Sequence, residues 1–311
     1  MKTKLISILV MAMIAISSFA KDSALKTAIT AQDFDRVKAA LDAGCDPNES
    51  LGTSTILSWA ANWGCNAEMV KLLIDKGAKV DGVGSLALTP LAGLVWAKNN
   101  TPEEIVARNN KTNDQMLKRI KKEVLMQNGW WAQTDITKFS TPLEIAKVLL
   151  DAGADPNYVL GSGAVKIGTP FLSAIKEGKF DLVKLMLDSK KVDTEYRFDS
   201  YAEKSIKVSN KLGAGRYGGA ATERDWAEIP MFNTPLLYAI DKQNLDLVKM
   251  LIEAGADINN GKKHEWGETG AGVSIHHWEL WTPLDVAKNA KNPNNEIIDY
   301  LISKGAVSNQ K

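Results

Sequence analysis

The sequence has 311 residues, of which 45% are hydrophobic and 24% are charged, a composition typical of a soluble globular protein. Lys and Arg number 38 and Asp and Glu 37, so the formal net charge of +1 gives no support for binding to nucleic acid or to an anionic membrane. The chain is long enough for an extended core, and a repeated architecture would allow one continuous domain instead of two.

Residues 1–20 have the features of a secretory signal peptide. Lys2 and Lys4 form a basic start, and Ser18-Phe19-Ala20 is a small-residue cleavage site. The apolar run between them, Leu5–Ile16, has about a dozen residues, whereas a spanning helix needs roughly 20, so an uncleaved membrane anchor is disfavoured. We expect cleavage, no stable membrane insertion of the mature chain, and a periplasmic or secreted location in a bacterium.

The rest of the chain predicts a series of helix pairs, each with apolar residues at helical spacing and a tight turn at its end. Repeat one is degenerate and has its first helix at Ala24–Ala31. In this repeat, Lys26 and Gln32 replace apolar residues and suit a terminal repeat that faces water. Repeat two opens at Thr55 and closes at Gly77.

Repeat three opens at Thr89-Pro90-Leu91, but its second helix is predicted only at Leu143–Ala152. The distance from the opening Thr to the closing Gly is 64 residues here and 21 in repeat five, so about 43 residues are inserted between the two helices. This insert, residues 99–140, predicts a helix of its own, because Thr101–Glu104 has the pattern of a capping box with Pro at the first helical position.

Repeats four, five and six open with a Thr-Pro pair followed by an apolar residue. The clearest unit is TPLLYAIDKQNLDLVKMLIEAGADIN, in which Thr234 and Asn244 can cap the two helices and Gly255 suits the left-handed residue after the second helix. The openings lie at residues 55, 89, 169, 234 and 282, so successive intervals are 34, 80, 65 and 48 residues. The intervals of 65 and 48 residues are too long for a helix pair alone, so we place two further inserts after the second helices of repeats four and five. We call these segments exits, and the inserts span residues 194–233 and 260–281.

The T-P-L openings and the G-A-D-x-N exit of repeat five resemble the ankyrin repeat, whose length is about 33 residues. The predicted fold class is therefore an all-α, ankyrin-repeat α-solenoid of about six helix-pair repeats with three long inserts, in one domain that covers residues 21–311. The predicted repeats span about residues 23–48, 53–82, 87–157, 167–193, 232–259 and 280–307. The resemblance implies a non-catalytic protein–protein interaction scaffold with recognition on its concave side, which the exit turns and first helices form.

No sequence pattern supports catalysis or a metal or cofactor site. Gly213–Gly218 matches the dinucleotide-binding pattern G-x-G-x-x-G, but it lies in a polar insert and not between a strand and a helix, so we predict a hairpin tip. His264, His276 and His277 lie close together in sequence but lack the H-E-x-x-H spacing of a zinc site. We expect no enzyme activity, no metal and no cofactor.

The nine tryptophans are unevenly placed. Trp59, Trp63 and Trp96 belong to first helices, and we expect them in the core or between repeats. The other six fall in or beside inserts, where they form either small local cores or a surface that binds a partner. We hypothesise that the exits 194–233 and 260–281 form one binding surface. Its candidate contacts are Arg216, Tyr217, Trp226, Trp266, His276, Trp278 and Trp281.

Three kinds of partner fit these residues. A protein partner is the principal hypothesis. Carbohydrate or cell-wall binding is the alternative, because tryptophan faces stack on sugar rings and a periplasmic protein meets glycans. A further alternative is an immunity or inhibitor protein that neutralises a toxin or a hydrolase. The sequence does not identify the partner.

Overall fold

The computed structural model describes the chain in eight stretches: residues 24–64, 66–84, 88–96, 102–127, 135–162, 165–196, 234–270 and 273–310. Its contacts divide the chain into two compact units, Met1–Lys191 and Val192–Lys311. Each unit consists of helix pairs that pack on the pairs next to them. None of the helices in these stretches is long and apolar enough to cross a bilayer.

The N-terminal unit contains repeats one to four. Their helix pairs are 24–30 with Phe34–Asp42, Ile56–Trp59 with Ala67–Asp75, Pro90–Trp96 with Pro142–Asp151, and Pro170–Lys176 with Phe180–Asp188. The first helix of repeat two continues as a π-helix at Ala60–Gly64. The insert of repeat three forms the helices Pro102–Leu117 and Lys122–Gln127 and the 3-10 turn Ile136–Lys138.

The C-terminal unit contains repeats five and six, whose helix pairs are Pro235–Asp241 with Leu245–Glu253 and Pro283–Lys288 with Asn295–Ser303. Three antiparallel hairpins connect repeats along the chain: Ser50–Leu51 with Ser54–Thr55, Leu160–Ser162 with Val165–Gly168, and Lys262–Gly270 with Val273–Trp281. The long third hairpin belongs to the C-terminal unit.

Local signals fix the ends of these helices, as repeat five shows. Thr234 Oγ1 accepts a hydrogen bond from the backbone N–H of Leu237 at 3.3 Å, and Asn244 caps the second helix in the same way. Side-chain caps of this kind are worth about 1 kcal/mol each. Gly255 ends the second helix with a φ of 98°, in the left-handed region that favours glycine. The two predicted caps and the predicted helix end are confirmed.

The two helices of repeat three pack together although residues 97–141 separate them in sequence. The second helix begins with a complete capping box, in which Thr141 and Glu144 each accept from the other's backbone N–H. Its buried face, which includes Leu149, lies against the second helices of repeats two and four. A Thr-Pro-Leu signal thus starts a second helix here, whereas it starts first helices elsewhere in the chain.

The insert helix Pro102–Leu117 is attached to the repeats through a polar face. Asn109 Nδ2 donates to Gln32 Oε1 at 3.2 Å, and Gln32 Nε2 donates to the carbonyl oxygen of Trp63 at 3.1 Å. The expectation that Gln32 faces water is therefore wrong, since this side chain is 9% exposed. The reason is that the insert packs over the turn of repeat one, where Gln32 has a φ of 57°.

Asparagines in the exit turns connect successive repeats. Asn48 accepts from the backbone N–H of Lys79 at 2.8 Å and donates to the carbonyl oxygen of Gly77 at 3.0 Å. In the C-terminal unit, Asn259 Oδ1 accepts from the backbone N–H of Val307 at 2.9 Å. The exit motif therefore pairs the polar backbone groups of one turn with the next repeat.

The polar C-terminal residues pack back on repeat six. Thr282 Oγ1 donates to the carbonyl oxygen of Val307 at 2.7 Å, and the backbone N–H of Asn309 donates to Asp285 Oδ2 at 3.1 Å. Burial alone would raise the pKa of Asp285, but hydrogen bonds from Ser308, Thr282 and Asn309 outweigh it and lower the pKa. The tail thus supplies polar partners at the last repeat.

The exit turn of repeat two contains a carboxylate, Asp81, whose negative charge destabilises the folded state. Both oxygens of Asp81 accept from the backbone N–H of Asp155, at 3.2 and 3.1 Å. Burial raises the pKa of Asp81, and the Asp155 carboxylate raises it further, while the hydrogen bond from the Asp155 backbone opposes the shift. The folded state therefore binds the proton of the Asp81 carboxyl more tightly than the unfolded state does. The free energy of unfolding consequently falls as the pH rises through the pKa of Asp81 and the carboxyl loses that proton.

We therefore expect Asp81→Asn to raise the melting temperature at pH 7 by roughly 1–3 °C, because the amide oxygen still accepts the hydrogen bond and the buried charge is removed. The gain should shrink towards pH 3, where the native carboxyl is protonated. Differential scanning calorimetry of both proteins across this range measures the effect. A gain that grows on acidification would contradict the explanation.

Candidate functional site

Two neighbouring first helices of the N-terminal unit carry exposed aromatic surface. The first helices of repeats two and three are neighbours, and each has a tryptophan in its last turn. Trp63 is 60% exposed and Trp96 is 43% exposed, while Trp59, one helical turn before Trp63, is half-buried. We call Trp59, Trp63 and Trp96 the tryptophan strip.

The exposure of Trp63 and Trp96 corrects the prediction that these two tryptophans lie in the core or between repeats, whereas half-buried Trp59 does not contradict it. The inward positions near the end of the first helix of repeat two are filled by Ala60 and Ala61, which are fully buried. The helix also changes from α to π geometry at Ala60–Gly64, so helical spacing that assumes a regular α-helix no longer gives the direction of Trp63. Single π turns of this kind often occur at functional sites.

Close packing brings the two helices of the strip together. A Cβ atom on Gly93 would lie 2.1 Å from Asn62 Nδ2, so the first helix of repeat three packs directly against Asn62, and a larger residue at position 93 would displace that side chain. Trp63 follows Asn62 directly, and Trp96 lies almost one turn beyond Gly93. Gly93 therefore helps to hold the exposed indoles on adjacent helices.

The long hairpin of the C-terminal unit contains four of the predicted contacts, Trp266, His276, Trp278 and Trp281. In its register, Trp266 is paired with His277, Trp278 with Glu265, His276 with Gly267 and Trp281 with Lys262.

The remaining candidate contacts, Arg216, Tyr217 and Trp226, lie outside the described residues, as does the glycine motif Gly213–Gly218. The binding surface built from both exits stays a prediction.

Trp281, the last residue of the hairpin, lines a pocket of about 420 Å³ in the C-terminal unit. Asp241 and Gln243 from repeat five and Val286 from repeat six line its other sides, together with Lys262. Burial lowers the pKa of Lys262, and the charge of Asp241 opposes this shift. The pocket thus brings the Trp281 ring and a half-buried lysine together.

A glycine fixes the base of this hairpin. A Cβ atom on Gly261 would lie 2.2 Å from the carbonyl oxygen of Trp281, so the two backbones approach at a distance that excludes every other residue. The indole N–H of Trp281 donates to Glu279. These contacts hold the Trp281 ring in a defined position beside the pocket.

In the stretches that the structure describes, no group of three or more His, Cys, Asp or Glu side chains is suited to hold a metal ion. The three histidines lie on the two strands of the long hairpin, where His264 is paired with Glu279, His276 with Gly267 and His277 with Trp266.

Comparisons with known proteins agree with the repeated architecture. Family models described as "Ankyrin repeats (3 copies)" and "Ankyrin repeat" match residues 136–262 and 54–84. The crystal structure of EF0377, an ankyrin repeat protein, is similar to this chain at 18% identity and a TM-score of 0.48, with 91% of this chain and 98% of that chain covered. No curated protein matches the chain. The family matches and the stacked helix pairs confirm the predicted fold class.

Proposed function

Because the chain belongs to the ankyrin-repeat family, which in general provides non-catalytic scaffolds for protein–protein interaction, we propose that it binds a protein partner outside the cytoplasm. The observation that carries this proposal is the tryptophan strip on neighbouring first helices. A concave row of first helices is the side that the family resemblance assigns to recognition.

The exposed indoles provide enough apolar surface to anchor a partner. With 60% of Trp63 and 43% of Trp96 exposed, full coverage would remove on the order of 200 Å² of largely apolar surface from water. At about 25 cal/mol per Å², this burial contributes roughly 5 kcal/mol before the entropic cost of association. Tryptophan is also enriched among the residues that dominate interface energetics.

The proposed location rests on residues 1–20, which lie outside the described residues. Cell fractionation and N-terminal sequencing of the protein recovered from a bacterial host test it. We expect a mature chain that begins at Lys21 in the periplasm or the medium. Recovery of the intact leader from the cytoplasm would contradict the proposed location, but it would leave the proposed mode of binding untouched.

The partner can be identified by site-specific cross-linking in the cells that make the protein. A photo-reactive amino acid at position 63 should capture one protein, identified by mass spectrometry. The same group at Ile302, which is 52% exposed on repeat six, serves as the control. Equal capture from both positions would show that the labelling is non-specific and would contradict the proposal.

Glycan binding is the second candidate, favoured by the same exposed tryptophan faces. Parallel pull-downs on purified peptidoglycan and on envelope protein extract separate the two. Retention on peptidoglycan that Trp63→Ala abolishes, with no protein captured, would favour the glycan. If the captured protein is a toxin or a hydrolase, inhibition of its activity by the purified chain tests the third candidate, an immunity or inhibitor protein.

A further inference from the structure

The pocket beside Trp281 in the C-terminal unit combines an apolar wall with several polar side chains. Trp281 and Val286 supply the apolar surface, and the close approach of Gly261 to the carbonyl oxygen of Trp281 holds the hairpin base in place. The volume of about 420 Å³ lies in the range of pockets that hold small molecules, about 300 to 1,000 Å³. The described residues that line the pocket all belong to repeats five and six and to the hairpin that joins them, so it lies within one compact unit.

The polar side chains of the pocket include both donors and acceptors of hydrogen bonds. Lys262 and Lys291 each carry three N–H donors, so a contact within the protein still leaves donors for a ligand. The carboxylate of Asp241 only accepts. Asn289 Nδ2 donates twice within the chain, at 2.8 and 2.7 Å, which leaves Asn289 Oδ1 as a further acceptor. A ligand that fills the pocket therefore has to donate as well as to accept.

Gln243 adds an acceptor that the protein leaves unpaired. Gln243 and Gln32 occupy the same place in their repeats, the left-handed residue before the N-cap of the second helix, with φ of 55° and 57°. The amide of Gln32 is paired at both ends, because its oxygen accepts from Asn109 at 3.2 Å and its nitrogen donates to the carbonyl oxygen of Trp63 at 3.1 Å. Gln243 Oε1, by contrast, is buried and has no hydrogen-bond partner among the residues that the structure describes. The last torsion of a glutamine side chain is soft, so this oxygen can turn towards a donor in the pocket.

We propose that this pocket binds a sugar residue, because each hydroxyl group of a sugar both donates and accepts. Hydroxyl or amide N–H groups of the sugar donate to Gln243 Oε1 and to the Asp241 carboxylate, and its oxygens accept from Lys262. The apolar C–H face of the sugar ring packs on Trp281. Two other classes of ligand fit less well: a phosphate ion lacks the donors that these acceptors need, and a cation would be repelled by two ammonium groups.

Titration with a defined saccharide tests the site. The probe is the disaccharide of N-acetylglucosamine and N-acetylmuramic acid, which carries hydroxyl groups, amide N–H groups and one carboxylate. Its affinity for the purified protein is measured by saturation-transfer difference NMR. We expect saturable binding that Trp281→Ala weakens about tenfold, because the sugar ring loses its apolar wall. Trp63→Ala, at an exposed tryptophan of the N-terminal unit, is the control and should leave the affinity unchanged.

Gln243→Met separates binding from folding. Methionine keeps the length of the side chain and removes its amide, so the variant should bind the disaccharide about fivefold more weakly. Its melting temperature should stay the same or rise, because Gln243 Oε1 has no hydrogen bond to lose within the described part of the chain. Gln32→Met is the matched change at the same turn position. It breaks two hydrogen bonds and should lower the melting temperature while leaving the affinity for the disaccharide unchanged.

Absence of saturable binding would overturn the inference, as would an affinity that neither Trp281→Ala nor Gln243→Met changes. Displacement of the disaccharide by an equal concentration of inorganic phosphate would also overturn it, because the site would then bind any anion. The inference goes beyond the proposed function and does not depend on it, since the pocket and the tryptophan strip belong to different units. If the disaccharide does not bind but position 63 captures a protein, the inference fails and the proposed function stands. If the disaccharide binds as expected and no protein is captured, the proposed function fails and the sugar site stands.

Discussion

Replacing Trp63 and Trp96 together with alanine is expected to weaken partner binding by about 100-fold or more. Each indole is a candidate hot spot, and hot-spot truncations cost about 2 kcal/mol or more, while 1.4 kcal/mol corresponds to tenfold in affinity. Folding should be almost unaffected, because both side chains already face solvent to a large extent. Isothermal titration with the captured partner and calorimetric melting measure the two effects.

The matched control is Leu117→Ala with Val124→Ala, two apolar residues of the insert that are 44% and 41% exposed. This pair removes exposed apolar surface outside the strip, although less than the tryptophan pair, and should change affinity less than threefold. If the control pair weakens binding as much as the tryptophan pair, the strip is not the anchor. The insert would then be the better candidate for the interface.

Leu149→Ala is expected to destabilise the N-terminal unit by about 2–5 kcal/mol, the range for large-to-small changes in a packed core. Leu149 is fully buried in the second helix of repeat three. Leu143→Ala, in the same helix at a position that is 38% exposed, should cost less than about 1 kcal/mol and serves as the control. Urea unfolding followed by circular dichroism compares the two variants.

This pair also tests the assignment of Pro142–Asp151 to repeat three. If the helix belonged to a surface insert instead, both substitutions would have similar small effects. A large loss for Leu149→Ala alone shows that the helix fills the place between repeats two and four.

Local signals explain how much of the fold the sequence could predict. Thr234, Asn244 and Gly255 act through hydrogen bonds and backbone conformations within three residues of themselves, so their roles follow from the sequence around them. The position of the second helix of repeat three could be predicted from spacing, because the G-A-D-P-N turn at residues 153–157 marks the end of a helix pair. These features need no knowledge of tertiary packing.

The features that were missed depend on contacts between distant residues. Gln32 is buried because Asn109, far along the chain, packs against it, and nothing near Gln32 in sequence indicates this. Trp63 is exposed and lies in a π turn, where regular α-helical spacing does not give the direction of a side chain, and apolar periodicity alone favours burial of a tryptophan. The long hairpin was described in the sequence only as an insert, since polar residues and Gly267 interrupt any clear apolar alternation.

The interruption of repeat three has a consequence for engineering. Lengthening this connection from about 4 residues to 45 costs only about 2 kcal/mol in loop-closure entropy, because that cost grows with the logarithm of length. The helices on either side of the insert, Pro90–Trp96 and Pro142–Asp151, pack together although 45 residues separate them in sequence. The insert of repeat three is thus a suitable place to introduce a foreign domain. It is also a suitable place to divide the chain into two fragments whose reassembly can be detected.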